Sequence, residues 1–132
     1  MIPKILMIKT MILKQLTASL ILALILGASL PVLANSVRIY PLSADEWARP
    51  RSGAVIAELD AVRSAVSYWD NTINAMLLIR YPGEDSGELW AAELRDWLIS
   101  LGLPSDVIKL VPGTQLADEI QIIVGTREEL KQ

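Results

Sequence analysis

Apolar side chains recur at intervals of three and four residues in two stretches of the chain, a spacing typical of helices with one buried side. The first stretch predicts a helix over residues 53–69, with these apolar positions: Val55, Ile56, Leu59, Val62, Val66 and Trp69. The second predicts a helix over residues 85–101, with these: Leu89, Trp90, Leu94, Trp97, Leu98 and Leu101. Asp85 and Glu88 have the spacing of a capping box, and Gly102 is expected to end the second helix.

Four shorter stretches predict strands. Residues 37–42 alternate apolar and polar side chains, and Pro41 predicts an edge strand, because proline cannot donate a hydrogen bond to a neighbouring strand. Residues 75–79 are continuously apolar, which predicts a central strand that is covered on both faces. Residues 106–111 and 119–124 predict the last two strands.

The connections between these elements contain polar residues and prolines. Ser43 and Glu46 have the spacing of a capping box for a short turn of helix before Pro50. Residues 80–83 are expected to lead the chain out of the sheet, and the charged residues 127–132 are expected to fray. The order strand, helix, strand, helix, strand, strand predicts an α+β fold, a two-layer sandwich with two helices on one face of a small mixed sheet.

The first 34 residues have the pattern of a secretory signal peptide. Lys4, Lys9 and Lys14 are the only charged residues before Arg38, and an apolar stretch follows at residues 16–30. Small residues at positions 32 and 34 match the two positions that signal peptidase recognises. We therefore expect cleavage after residue 34, which leaves a single domain over residues 35–132.

A retained membrane anchor is the alternative interpretation of this leader. Residues 5–33 are together long enough to cross a hydrocarbon layer of about 30 Å. Lys9 and Lys14 interrupt the first part, and the uninterrupted remainder is short for a membrane span. Cleavage is the favoured interpretation, and it predicts no stable membrane insertion of the mature chain.

Composition excludes several kinds of chemistry. The sequence contains no His and no Cys, so imidazole bases, thiol nucleophiles, thiolate metal sites and disulfides are all excluded. Removal of the three leader lysines changes the formal net charge from −3 to −6. An acidic domain of this kind is not expected to bind nucleic acid. No cofactor and no metal are predicted, because no phosphate-binding or metal-binding motif is found.

Three motifs follow one another in the middle of the chain. They are Leu78-Ile79-Arg80-Tyr81-Pro82-Gly83-Glu84-Asp85, then Trp90-Ala91-x-x-Leu94-x-x-Trp97-Leu98, then Gly102-Leu103-Pro104 before a strand. In this order they resemble the C-terminal domain of outer membrane protein A and its relatives. That family anchors the outer membrane or a motor to peptidoglycan. The resemblance implies the same order of strands and helices that the periodicity predicts.

The resemblance also implies a ligand site at the start of the second helix. Relatives hold the diaminopimelate group of peptidoglycan with an Asp in the preceding turn and an Arg in the helix. Asp85 takes the place of that Asp. Trp90 stands where relatives have their Arg, if Ala91 is matched to their Ala, and the His-Thr-Asp turn of the family is absent. The resemblance therefore implies the scaffold more strongly than the ligand.

The candidate binding residues surround the start of the second helix: Arg80, Tyr81, Glu84, Asp85 and Trp90. Trp90 and Trp97 lie on nearly the same side of the helix, where they form either an aromatic platform or part of the core. Glu84 and Asp85 offer oxygen atoms to a hard cation, or they serve only to cap and complement the helix.

Arginines supply a second candidate site. Arg49, Arg51 and Arg80 would approach one another if the first loop lies near the end of the central strand. Their guanidinium groups would then bind an anionic group, such as a carboxylate of a peptide stem. The alternative is that they pair with the surplus of acidic side chains.

The sequence thus predicts an exported, periplasmic, non-enzymatic binding or assembly module of the bacterial cell envelope. It would dock an envelope protein through Trp90, Tyr81 and the loop at residues 80–88. The alternative is residual binding of the peptidoglycan peptide stem by Asp85 together with Arg49, Arg51 or Arg80. A hydrolase that uses acidic residues is the third and least favoured hypothesis, because so small a domain offers little cleft.

Overall fold

The computed structural model describes Lys4, Lys9, Met11 and the continuous range 37–131. The chain divides into two units, Met1–Ala34 and Asn35–Gln132. The three described residues of the first unit are helical. The apolar stretch at residues 16–30 and the expected cleavage position lie outside the described residues, and cleavage stays a prediction. Within the described part of the chain, we find no helix with the length and apolar character required to cross a bilayer.

The second unit alternates strands with helices. Within residues 37–131 the elements are β1 (Arg38–Ser43), α1 (Ala44–Trp47), α2 (Gly53–Glu58), α3 (Asp60–Asp70), β2 (Ala75–Tyr81), α4 (Asp85–Ser100), β3 (Ile108–Pro112) and β4 (Glu119–Thr126). Short 3-10 turns precede β3 and follow β4. The predicted α+β class and the predicted order of elements are confirmed.

The four strands form one mixed sheet in the order β1-β4-β2-β3. β4 is antiparallel to both of its neighbours, whereas β2 and β3 are parallel. β2 is a central strand, as its continuous apolar sequence predicts. β1 is an edge strand, as Pro41 predicts, and Pro41 lies opposite Gln121 of β4.

The main core lies between the sheet and the helices. Alternate residues of each strand point towards the helices, and several of them are completely buried: Leu42, Leu77, Ile79, Ile120, Ile122 and Val124. The helices contribute Ile56, Val62, Ala65, Leu94 and Leu98 to the same cluster. Burial of each large aliphatic side chain contributes about 1.5–3 kcal/mol relative to an exposed position. This cluster therefore holds the two layers together.

The capping box at the start of α1 is confirmed. The Glu46 backbone N–H donates to Ser43 Oγ at 3.3 Å, and the Ser43 backbone N–H donates to Glu46 Oε2 at 3.1 Å. The Ser43 hydroxyl also donates to the same carboxylate oxygen at 2.8 Å. These hydrogen bonds from Ser43, with a smaller contribution from the charge of Arg49, lower the pKa of Glu46. The box fixes the direction in which the chain leaves the edge strand.

The predicted first helix is broken into α2 and α3. Leu59 separates them with an extended backbone, at φ −58° and ψ 125°, and its side chain is buried in the core. Asp60 then begins α3, where its carboxylate complements the positive end of the helix dipole. No proline or glycine marks the break. The prediction of one continuous helix over residues 53–69 is wrong, because the extended backbone of Leu59 ends α2 and α3 begins at the next residue.

The predicted cap of the second helix is also wrong. Glu84, not Asp85, occupies the cap position, and no side chain caps α4. Leu89 is 72% exposed, although the periodicity places it on the apolar side. The C-terminal end is as predicted, because Gly102 has a φ of +110° that a residue with a side chain rarely adopts.

Strand boundaries and the tail differ from the predictions. Arg80 and Tyr81 do not leave the sheet, because they pair with Val111 and Pro112 of β3. The start of the predicted strand at residues 106–111 is a 3-10 turn. The charged tail is held after β4, since the Thr126 backbone N–H donates to Glu129 Oε2 at 2.9 Å and the Glu129 N–H donates to Thr126 Oγ1 at 3.3 Å.

Candidate functional site: the second sheet face

The sheet has a second face, directed away from the described helices. We call it the second sheet face, and its members include Ile39, Met76, Leu78, Arg80, Lys109, Val111, Glu119, Gln121 and Ile123. They occupy the strand positions between the core residues, so they point the other way. None of them belongs to the core cluster of the helix side.

Apolar residues form a continuous row across this face. Ile39 lies opposite Ile123, and Ile123 lies opposite Leu78 on its other side. Ile39 is 53% exposed, whereas Ile123 is 3% exposed and Leu78 is half-buried. A strand that faces water usually alternates apolar and polar residues. The second sheet face is instead apolar along its centre. Met76 and Ile123 on this face are buried, although no described α-helix packs on it.

One end of the second sheet face is closed by the chain itself. A Cβ atom added at Gly125 would lie 3.1 Å from Val37 and 3.3 Å from Leu130. Val37 precedes β1, and Leu130 lies in the 3-10 turn that follows β4. The close approach of both side chains accounts for glycine at position 125. The rows that contain Ile39 and Arg80 lie further from this end.

Two cations border the apolar row. Arg80 is half-buried on β2, and Lys109 is exposed on β3, opposite Leu78. Within residues 37–131 the ion pairs are Arg51 with Glu93 and Arg63 with Asp60, so neither Arg80 nor Lys109 is paired there. The two side chains are diagonal neighbours on the same face. Glu119 lies on the same face, where the Gln121 side-chain amide donates to Glu119 Oε1 at 3.4 Å. The polar border of the apolar row therefore carries two cations and one carboxylate.

The five candidate residues from the sequence do not form one site. Arg80 belongs to the second sheet face, whereas Tyr81 points to the helix side and packs against the core. The Tyr81 carbonyl oxygen accepts hydrogen bonds from the N–H groups of Gly113 at 2.8 Å and Thr114 at 3.2 Å. The side chains of these two adjacent residues therefore lie on opposite faces of the sheet.

Trp90 lies on the helix side and is half-buried against the core. Its ring stacks on Trp47, with centroids 6.2 Å apart and an interplanar angle of 28°. Its indole Nε1 is buried without a hydrogen-bond partner. Trp97 also packs against the core. Both tryptophans thus pack against the core, and they do not form an exposed aromatic platform.

The three candidate arginines do not meet. Arg51 Nε donates to Glu93 Oε1 at 2.8 Å, and Arg51 Nη1 donates to the Trp47 carbonyl oxygen at 2.7 Å. Its guanidinium lies 5.0 Å from the centroid of the Trp47 ring. Arg51 therefore joins α1 to α4 on the helix side, while Arg80 lies on the opposite face of the sheet. For Arg51 the alternative prediction, that the arginines pair with acidic side chains of the domain, is correct.

Glu84 and Asp85 are exposed at the start of α4. Within the described residues, no group of three or more acidic side chains is arranged to hold a metal ion. Gly87 sets the shape of this loop, because a Cβ there would overlap the Pro82 carbonyl oxygen. The loop is thus a tight connection between β2 and α4.

Sequence reasoning did not identify Ile39, Lys109 or Ile123 as site residues. The sequence does indicate that both faces of the central strands are apolar, because these strands contain two continuous apolar runs, Ala75-Met76-Leu77-Leu78-Ile79 and Ile122-Ile123-Val124. Such runs are typical of strands that are covered on both faces. The described helices cover only one face.

The chain was also compared with known proteins. No family model, curated protein or solved structure matches it. The resemblance to the C-terminal domain of outer membrane protein A therefore stays a prediction. What the chain's own geometry establishes is a two-layer α+β domain with a second sheet face that is apolar along its centre and bordered by Arg80, Lys109 and Glu119.

Proposed function

We propose that this chain is an exported, non-enzymatic binding module of the bacterial cell envelope, which docks a partner protein through the second sheet face. The leader supports export, since three lysines precede an apolar stretch and a small-x-small exit. The order of strands and helices is the one that the resemblance to the outer membrane protein A family implies. The mature domain would act in the periplasm.

The apolar second sheet face is the observation that carries this proposal. Ile39, Leu78 and Val111 expose apolar surface on a face that no described helix covers. Contiguous exposed apolar surface is a mark of protein interaction sites when polar residues border it. Arg80, Lys109 and Gln121 supply that polar border.

Charge indicates what kind of protein surface fits. Arg80 and Lys109 lack carboxylate partners within residues 37–131, although the domain has an excess of acidic residues. A partner that combines apolar side chains with carboxylates would cover the apolar row and pair with these cations. Complementary charge of this kind sets the orientation of a complex and speeds its formation.

Peptide-stem binding is less well supported by the geometry. Arg51 is engaged by Glu93 on the helix side, and Arg80 faces away from that side. Two of the three arginines that this alternative offers are therefore divided between the two sides of the sheet. Asp85 is exposed in the first turn of α4.

Site-directed photo-cross-linking in living cells tests the docking proposal. A photoreactive amino acid is placed at position 39 on the second sheet face or, as the matched control, at position 73. Ile73 is 83% exposed but lies in the turn before β2, away from the second sheet face. We expect one defined protein adduct from position 39 and none from position 73.

Substitution of the cation adds a second readout. Arg80→Glu should reduce the adduct from position 39, because a carboxylate then meets the carboxylates of the partner. Osmotic-shock fractionation and mass measurement of the same protein test export and cleavage after residue 34. Equal adducts from positions 39 and 73, or an unchanged adduct in Arg80→Glu, would contradict the docking proposal.

A further inference from the structure

A polar concavity of about 480 Å³ lies between β1 and α3. Its lining residues are Arg38, Tyr40, Arg63, Ser64, Ser67, Tyr68 and Asn71. It lies on the helix side of the sheet, since Arg38 and Tyr40 alternate with the second-face residue Ile39. It is therefore separate from the second sheet face, and an inference about it does not depend on the docking proposal.

Helix and strand periodicity bring these residues together. Positions 63, 64, 67, 68 and 71 lie on one side of α3, because they are separated by one, three or four residues along the helix. α3 packs against β1, which has no strand on its outer side. The concavity is consequently open to solvent along the free edge of the sheet.

The lining is cationic although the domain is acidic. It includes two arginines and no Asp or Glu. The Arg38 guanidinium lies over the Tyr68 ring, 4.7 Å from the centroid. Arg63 pairs with Asp60, but both side chains are exposed, at 64% and 83%. Exposed ion pairs of this type are weak, so an incoming anion can replace Asp60 as the partner of Arg63.

Hydroxyl groups line the concavity beside the two arginines and can form hydrogen bonds with a ligand. Ser64 and Ser67 line the concavity from α3, and Tyr40 adds a ring with a hydroxyl from β1. Guanidinium groups bind carboxylates and phosphates through paired N–H donors. Serine and tyrosine hydroxyls both donate and accept, as sugar hydroxyls do. The combination matches a small molecule that carries an oxyanion beside several hydroxyl groups.

We infer that this concavity binds an anionic sugar, one that carries either a carboxylate or a phosphate. Arg38 and Arg63 hold the oxyanion, and Ser64 and Ser67 hydrogen-bond the sugar hydroxyls. The aromatic ring of Tyr40 packs against the apolar edge of the sugar. No bond is made or broken, since the lining contains no acid and no nucleophile other than hydroxyls.

Amide chemical shifts test this inference. The protein is expressed from the whole 132-residue sequence, isotope-labelled, and titrated separately with glucose 6-phosphate, glucuronate, inorganic phosphate and glucose. We expect at least one of the two anionic sugars to shift the amide signals of Ser64, Ser67 and Asn71 to saturation. Glucose is expected to have no effect. Inorganic phosphate is expected to bind about tenfold more weakly than glucose 6-phosphate, because it lacks the hydroxyls.

Arginine variants supply the control. The double variant Arg38→Gln and Arg63→Gln should weaken binding at least about tenfold. Arg127→Gln, which removes one positive charge at an exposed site away from the concavity, should bind as the parent does. The dispersion of the amide spectrum reports whether each variant is folded, and Arg63→Lys, which keeps the charge without the fork, should bind with intermediate affinity.

Three results would overturn the inference. One is the absence of any shift with both anionic sugars, and another is glucose binding as tightly as they do. The third is unchanged affinity in a folded Arg38→Gln and Arg63→Gln variant. None of these results depends on whether a protein docks on the second sheet face.

Discussion

The two faces of the sheet are built from the same strands but differ in how deeply their side chains are buried. On the helix side, Leu77 and Ile79 are completely buried. On the second sheet face, the intervening residues Leu78 and Arg80 are only half-buried. Both faces are apolar along the centre, but only one has described helices packed on it. The comparison shows that one strand gives one set of residues to the closed core and places the other set on a face that no described α-helix covers.

Truncation of a core residue provides the largest expected difference between the faces. Ile122→Ala on the helix side should lower the free energy of unfolding by about 2–5 kcal/mol, because it leaves a cavity in a closed core. Leu78→Ala on the second sheet face should cost about 1 kcal/mol or less, since its side chain is half-buried and the site can relax. Urea unfolding of both variants measures the difference. Equal losses would show that the second sheet face is as tightly packed as the first.

Gly87 tests how closely the helix layer is joined to the sheet. Gly87→Ala should destabilise the fold by about 1–3 kcal/mol, because the added Cβ meets the Pro82 carbonyl oxygen. Gly83→Ala is the matched control in the same loop, since a Cβ there meets nothing within 4 Å. Thermal unfolding distinguishes the two variants. If both variants lose the same stability, the loss comes from the reduced backbone freedom of an alanine and not from contact of the added Cβ with the Pro82 carbonyl oxygen.

The capping box beside the edge strand predicts an effect of about 1 kcal/mol. Ser43→Ala removes the partner of Glu46 and should cost that amount at neutral pH. The pKa of Glu46 is lowered in the folded state, so its stabilisation is complete above the ordinary glutamate value of 4.5 and is lost as pH falls through the folded pKa. Unfolding at pH 7 and at pH 3 measures this. The difference in the free energy of unfolding between the parent and Ser43→Ala should be smaller at pH 3 than at pH 7.

The smallest effect on stability is expected from the cation of the second sheet face. Arg80→Gln should change the free energy of unfolding by no more than about 0.5 kcal/mol, because Arg80 has no ion-pair partner within residues 37–131. The same variant should weaken cross-linking from position 39. A large loss of stability would instead make Arg80 a structural residue, and the contrast between the two faces would be less sharp.

Much of the fold could be predicted from the sequence because its periodic positions agree with its capping residues. The Ser43–Glu46 box, the left-handed Gly102 and the edge position of Pro41 depend on local chemistry, and all three predictions are confirmed. The break at Leu59 could not be predicted in this way. No glycine, proline or capping side chain marks it in the sequence, and it is visible only in the extended backbone of Leu59.

The candidate site was harder to predict than the fold. Arg80 and Tyr81 are neighbours in sequence, but a strand directs them to opposite faces. Trp90 was a candidate binding residue near the helix start, but Trp47 from a separate short helix stacks on it. Lys109 joins Arg80 only through the parallel pairing of β3 with β2. Such pairings depend on sheet order, which no local pattern specifies.

The pairing of β1 with β4 has a consequence for the order of events in the cell. These are the first and the last strands of the domain, and they lie side by side. During synthesis, residues 38–43 emerge well before residues 119–126. The sheet cannot be completed until the end of the chain is free, and pairings so distant in sequence form slowly. The edge strand β1 therefore waits for its only neighbour in the sheet until nearly the whole domain has been made.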